Sequence, residues 1–271
     1  MNATTRLALH TWTLDTTPLA TVLRVAKETG WDAIELRRLD FARAREAGHS
    51  PEEVLALVKA SGLPVACVGV QLGWLLAEGA ERAGLLRAFD ESCRWAAALG
   101  CPTIMSPVDP GRGAVERAVE SVREVGAIAA RHNVRLALEF NSVAQQFNGL
   151  ETVRELTRRA GHPHCGLLLD TYHLGRSGAA LDALRALAPE EIVYVQYSDT
   201  PGHHPQPGVT TDRLPPGQGV FPFHDFLRIV REKGYTGFLS YEAPNPSAWA
   251  RNPVEVAREA LEATRGLLAG L

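Results

Sequence analysis

The sequence offers little with which to build a disulfide scaffold: four cysteines in 271 residues, at positions 67, 93, 101 and 165, with no C-x-x-C pair. They lie in or beside apolar segments, which reads as buried free thiols in a reducing compartment. No apolar run approaches the length of a membrane span, and the opening Met1-Asn2-Ala3-Thr4-Thr5-Arg6 lacks the apolar core of a secretory leader. The expectation is a cytoplasmic protein with no membrane partner. A large excess of charge of one sign is missing too. The net charge is −3 and no Lys/Arg cluster occurs, so a nucleic-acid partner has no electrostatic footprint. No glycine-rich phosphate cradle is evident, which favours a non-phosphorylated ligand. No Ser/Gly linker or composition shift interrupts the chain, so residues 1–271 read as one domain.

What is present is a 45% hydrophobic composition, enough for a large core, laid out as a regular alternation. Strand-like runs fall near 7–11, 32–36, 64–70, 103–105, 134–140, 166–170, 191–197 and 237–242. Helical patterns follow near 18–30, from 51, and at 81–99, 114–132, 150–160, 179–187, 223–233 and 253–268. Ser50-Pro51-Glu52-Glu53 has the N-cap, proline and early acids of a helix start, and Gly30 and Gly100 are natural helix stops. Eight strand–helix units in one domain predict an α/β fold, a single (β/α)8 TIM barrel.

Four of the runs in the C-terminal half end in an oxygen-bearing side chain: Leu136-Ala137-Leu138-Glu139, Leu167-Leu168-Leu169-Asp170, Ile192-Val193-Tyr194-Val195-Gln196 and Phe238-Leu239-Ser240-Tyr241-Glu242. The last residue of a barrel strand sits where such folds do chemistry. Glu139 and Asp170 are 31 residues apart and Asp170 and Gln196 26 apart, near the roughly 31 of one βα unit. Three carboxylates and a carboxamide converging on a point repel one another unless a divalent cation sits between them, and all-oxygen ligation suits Mg²⁺ or Mn²⁺. Alternation puts Ala137, Leu168, Tyr194 and Ser240 on the same inward faces as Glu139, Asp170, Gln196 and Glu242. His10, Glu35 and Gln71 fall at the ends of strands one to three, where polar groups can read substrate hydroxyls. Trp12 and Trp74 are candidates for a sugar-stacking wall, and Phe140 and Tyr172 for the same or for core. The long proline-rich segment 199–221, with His203, His204 and Arg213, follows the Gln196 strand and is expected to lie over the site.

With those residues in place, the chain resembles the xylose-isomerase-like TIM-barrel superfamily of sugar isomerases and epimerases. The resemblance rests on Leu9-His10-Thr11-Trp12-Thr13, Gly30-Trp31-Asp32-Ala33-Ile34-Glu35-Leu36-Arg37, Leu138-Glu139-Phe140 and Leu169-Asp170-Thr171-Tyr172-His173. It continues in Val195-Gln196-Tyr197-Ser198-Asp199, Arg213-Leu214-Pro215-Pro216-Gly217-Gln218-Gly219 and Ser240-Tyr241-Glu242. Each motif is short; their order along the whole chain carries the likeness. The resemblance implies one divalent metal ion, Mn²⁺ or Mg²⁺ ahead of Co²⁺ or Zn²⁺, held by Glu139, Asp170, Gln196 and Glu242. It implies Glu139 and Glu242 as the proton-transferring pair and His173 as a catalytic group beside the substrate oxygen. Arg213 matches an arginine directed at a substrate oxygen from a mobile lid.

The implied activity is metal-dependent isomerisation or epimerisation of a small sugar, cyclitol ketone or keto acid through an enediolate. A lyase similar to 3-dehydroshikimate dehydratase is the alternative, and a binding protein without turnover is a third reading. Gln196 is similar to hydroxypyruvate isomerases and 3-dehydroshikimate dehydratases, whereas Glu35-Leu36-Arg37-Arg38-Leu39-Asp40 is similar to inosose isomerases. Substrate, oligomeric state and metal therefore stay open. The partner is a small molecule, and a homo-oligomer is compatible with the sequence.

Overall fold

The computed structural model describes residues 5–202 and 207–270. Eight parallel strands close into a barrel in chain order. They are β1 (Arg6–His10), β2 (Ala33–Leu36), β3 (Val65–Gly69), β4 (Thr103–Pro107), β5 (Arg135–Glu139), β6 (Cys165–Asp170), β7 (Ile192–Tyr197) and β8 (Phe238–Tyr241). The helices outside it are α1 (Leu19–Thr29), α2 (Arg38–Glu46), α3 (Pro51–Ser61), α4 (Gly79–Ala98), α5 (Val115–Arg131) and α6 (Leu150–Ala160). They continue with α7 (Thr171–Ser177), α8 (Asp182–Arg185), α9 (Phe223–Glu232), α10 (Pro246–Trp249) and α11 (Pro253–Ala269). Closure comes from β8 pairing with β1, Ala8 lying opposite Ser240. Among the described residues no helix is long and apolar enough to cross a membrane. The four cysteines are free, with three buried and Cys165 half-buried.

Two hydrophobic layers hold the fold. The larger lies between strands and helices; the smaller fills the barrel axis with Ala8, Ala33, Ala66, Cys67, Met105, Ala137, Leu168 and Tyr194. These stand two or three residues before a strand's upper end, so the next inward side chain along the strand, such as His10, Glu35, Glu139, Asp170 or Gln196, reaches the mouth. The expected inward set of Ala137, Leu168 and Tyr194 is therefore found on the axis.

Two local expectations need correction. Helix α2 was not anticipated, because Arg38–Glu46 is strongly polar and shows no apolar stripe. It is stabilised at its start by Asp40, whose carboxylate accepts from the Arg37 N–H at 2.7 Å. The helix expected at 179–187 shrinks to Asp182–Arg185, while a full turn starts directly after β6. Asp170 is its N-cap, accepting from the Tyr172 N–H at 2.9 Å, and His173 lies in this helix.

The segment 199–221 is tied down over its described residues. One Asp199 oxygen accepts from Gly217 and Gly219 N–H (2.8 and 2.9 Å), and the other from Thr200 and Phe221 N–H (both 2.9 Å). Asp199 and Leu214 exchange backbone bonds at 2.7 and 3.1 Å. A Cβ on Gly219 would lie 2.3 Å from the Thr200 carbonyl oxygen, so glycine is required at that crossing. The positions His203 and His204 lie outside the described residues. D199A leaves several buried N–H groups unpaired, at about 1–3 kcal/mol for each that stays dry. Limited proteolysis is expected to cut D199A within 199–221 well before wild type, with D199N intermediate because an amide keeps one acceptor oxygen. Equal cleavage rates would show that Asp199 does not hold the segment.

Candidate active site

A cavity of about 470 Å³ opens at the upper end of the strands, lined by His10, Trp12, Arg37, Gln71, Glu139, Asn141, His173, Arg213 and Glu242 among others. A larger groove of about 800 Å³ lies outside the barrel, between α1, α2 and α3, against Ala20, Arg43 and Leu57. The smaller cavity is the functional candidate, because the buried side chains of His10, Glu139, His173, Arg213 and Glu242 converge there at the strand ends.

At its floor the carboxylates of Glu139 and Asp170 and a ring nitrogen of His173 bring ligand atoms within 4.8 Å of one another. Arg213 Nη1 lies 2.8 Å from Asp170 Oδ2 and 2.8 Å from Glu242 Oε2, bridging the ends of β6 and β8. Its guanidinium stacks 4.4 Å from the centre of the Tyr172 ring. Glu242 lies one residue past β8, held by its N–H donating to the Tyr197 carbonyl at 3.0 Å. His10 Nε2 faces the other Glu242 oxygen at 3.2 Å. Its Nδ1 accepts from the Trp12 N–H at 3.0 Å, so the neutral ring carries its proton on Nε2 and donates toward Glu242.

Burial governs the charges. It pushes Glu139 well above the usual carboxylate range, an effect that Asp170 and Glu242 reinforce. Glu242 rises to about 7 for the same reason, with Arg213 opposing the rise. Glu35 rises to about 8 through burial and then the nearby Glu242 charge. His173 falls to about 3 through desolvation and is neutral; Ser142 Oγ lies 2.8 Å from its Nδ1. His10 is likewise lowered by burial and then by Arg37 and Arg213.

The residues present fit a divalent ion. Glu139 Oε1 and Gln196 Oε1 are buried and have no hydrogen-bond partner among the described residues. Unsatisfied buried acceptors cost about 1–3 kcal/mol each, which a cation relieves by accepting their lone pairs. The ligand atoms that cluster are those of Glu139, Asp170 and His173, and the further oxygens expected of the site are those of Gln196 and Glu242.

Other expected residues divide by depth. Gln71 is exposed at the mouth, and His10, Trp12 and Arg213 line the cavity. Glu35 and Gln196 are fully buried beneath it. Trp74 belongs to the core rather than to a stacking wall: it is fully buried, its Nε1 donates to Ser106 Oγ at 2.9 Å, and its ring meets Phe89 edge-on. Phe140 is also fully buried and packs edge-on against His173. Arg37, Asn141 and Ser142 had not been assigned a role. Arg37 was legible as part of the Glu35-Leu36-Arg37 motif, but nothing in its sequence context showed that it lines the cavity.

The closed parallel barrel with acids at its upper rim defines a TIM-barrel protein. The chain belongs to the xylose isomerase-like TIM barrel family, whose model matches residues 23–267. It is 24% identical to inosose isomerase of Halalkalibacterium halodurans over 93% of this chain and 92% of that one. It is 29% identical to 3-dehydroshikimate dehydratase of Pseudomonas putida, over 47% of this chain and 20% of that one. The crystal structure of IOLI protein with a bound zinc atom superposes with a TM-score of 0.88 at 20% identity, covering 98% of each chain.

Proposed function

We propose that this chain is a divalent-metal-dependent isomerase or epimerase of a small polyhydroxy ketone, acting through an enediolate. The observation that carries the reading is the pair Glu139 and Glu242, buried carboxylates of raised basicity at one cavity floor. A cation, when held by Glu139, Asp170, Gln196 and Glu242, supplies electrophilic stabilisation of the negative charge that develops on the substrate oxygens. Glu139 removes the proton from the carbon between carbonyl and hydroxyl, and Glu242, its proton exchange aided by His10 Nε2–H, returns one. Arg213 and Arg37 orient the substrate oxygens, Gln71 reads a hydroxyl at the mouth, and Trp12 forms an apolar side of the cavity. The similarity to inosose isomerase makes cyclitol ketones a leading substrate class.

The second reading is a lyase, in which the same enolate expels a β-hydroxyl. It is favoured by Gln196 together with the partial similarity to the P. putida dehydratase. Incubation of metal-loaded protein with inososes, ketohexoses, hydroxypyruvate and 3-dehydroshikimate in D₂O separates the two. Carbon-bound deuterium supports the isomerase, and new ultraviolet absorbance from a conjugated product supports the lyase. Neither signal from any of the four would leave a binding protein without turnover.

His173 is the neutral group beside the reacting oxygen. Ser142 Oγ can accept from or donate to its Nδ1, which sets whether Nε2 presents a proton or a lone pair. H173N is expected to retain the metal while kcat falls by roughly 10²–10⁴. An unchanged kcat would reduce His173 to packing, and loss of the metal would make it a ligand instead.

A further inference from the structure

We propose that Glu35 is a positioning residue that fixes which end of the Gln196 amide faces the metal site. This rests on the metal reading given above and deepens it.

The two ends of a carboxamide have nearly the same shape and opposite chemistry. The oxygen offers lone pairs to a cation, whereas the nitrogen turns two partly positive hydrogens toward it. A glutamine can therefore serve as a ligand only if something holds the nitrogen elsewhere. Here Gln196 Nε2 donates to Glu35 Oε1 at 2.9 Å, and Tyr194 Oη donates to Glu35 Oε2 at 3.0 Å. Both carboxylate oxygens of Glu35 are thus engaged by β7. The amide oxygen is left at the opposite end, buried and without a hydrogen-bond partner among the described residues.

The reach is unusual. Glu35 is on β2 and Gln196 on β7, so the contact spans the barrel axis past β8 and β1. Ser240 on β8 is the register partner of Gln196, His10 on β1 is that of Glu35, and Ala8 lies below His10 opposite Ser240. Ser240 and Ala8 are small, and Tyr194 lies with Ala8 on the barrel axis. Glu35 is fully buried, so rotating it away would leave a carboxylate without donors. His10 Nε2 is 3.6 Å from Glu35 Oε1, beyond a normal hydrogen bond. Among the described residues no other hydrogen bond holds the Gln196 nitrogen, and Glu35 therefore acts on the metal through Gln196.

The test is Mn²⁺ binding to chelator-stripped full-length protein, measured by calorimetry. E35Q keeps an oxygen at the same reach that accepts from Gln196 Nε2. E35D keeps the charge but withdraws the acceptor by one methylene. Removal of a group that orients a metal ligand typically weakens binding by roughly 10–100-fold. E35D is expected to lose affinity in that range, with E35Q staying close to wild type. In a Q196L background, E35D is expected to add no further loss, which keeps a general folding defect distinct from loss of orientation. E35D binding as tightly as wild type, or E35Q falling further than E35D, would overturn the positioning role; the second result would mean that charge, not orientation, matters. Wild-type protein that binds no Mn²⁺ would overturn the metal reading itself.

Discussion

E139Q and E242Q are each expected to lower solvent deuterium incorporation into the true substrate by roughly 10²–10⁴, the usual weight of a positioned proton-transfer group. Glutamine occupies almost the same volume and keeps one oxygen for a cation, so the floor of the site stays filled. What it loses is a basic lone pair aimed at carbon. Glu139 is the more telling position. Its Oε1 has no partner among the described residues, and burial beside Asp170 and Glu242 raises its basicity. Glu242 differs in having Arg213 on one oxygen and His10 facing the other, which supplies a route for its proton to exchange. E139Q is therefore expected to block proton removal from one face of the substrate carbon and E242Q from the other. For an epimerase, substrate labelled at that carbon and run in each direction distinguishes them. Full exchange in both variants would sink the two-carboxylate mechanism while leaving the fold and family untouched.

R213A is expected to act on stability as well as on substrate binding. The guanidinium is nearly fully buried and is shared by Asp170 and Glu242 at 2.8 Å each. Deleting one partner of a buried ion pair leaves uncompensated charge and costs about 3–5 kcal/mol. At roughly 2–4 °C per kcal/mol, the metal-free variant should melt on the order of 10 °C below wild type. A divalent ion supplies positive charge to the same carboxylates, so saturating Mn²⁺ should raise the variant's Tm more than that of wild type. KM should also rise, since Arg213 lines the cavity. R213K should recover part of both losses, because an ammonium cannot match the planar fork that bridges two carboxylates. A metal-free Tm and KM equal to those of wild type would show that the arginine is dispensable in the site. Arg213 was expected on a mobile cover. In the structure the Arg213 carbonyl accepts from Asn245 Nδ2 at 3.0 Å.

The chain order of the barrel was legible because each strand is a short apolar run, and each long helix carries caps or an apolar stripe that local energetics dictate. Ser50 is one such case: its hydroxyl accepts from the Glu53 N–H and Glu53 accepts in return, as the four residues alone imply. Glu139, Asp170, Gln196 and Glu242 were visible for a related reason. Strand period fixes the face, and the end of an apolar run fixes the height, so position along the sequence becomes position in the barrel. Helix α2 and the turn at Thr171 were hidden, since their stability comes from Asp40, Asp170 and tertiary neighbours rather than from an apolar stripe.

The sequence by itself determined the fold, the inward face of each strand and the set of polar side chains delivered to the upper rim. Only the tertiary structure decided which of those side chains meet. Glu35 and Gln196 are 161 residues apart and join because closure of the barrel brings the inward residues of β2 and β7 within reach of one another. Arg213 reaches Asp170 and Glu242 because Asp199 gathers four backbone donors around itself. Trp12 and Trp74 look alike in the chain, yet one lines the cavity and the other is core. Local periodicity is encoded within a few residues. The pairing of charges across a barrel depends on the volumes of all the side chains between them.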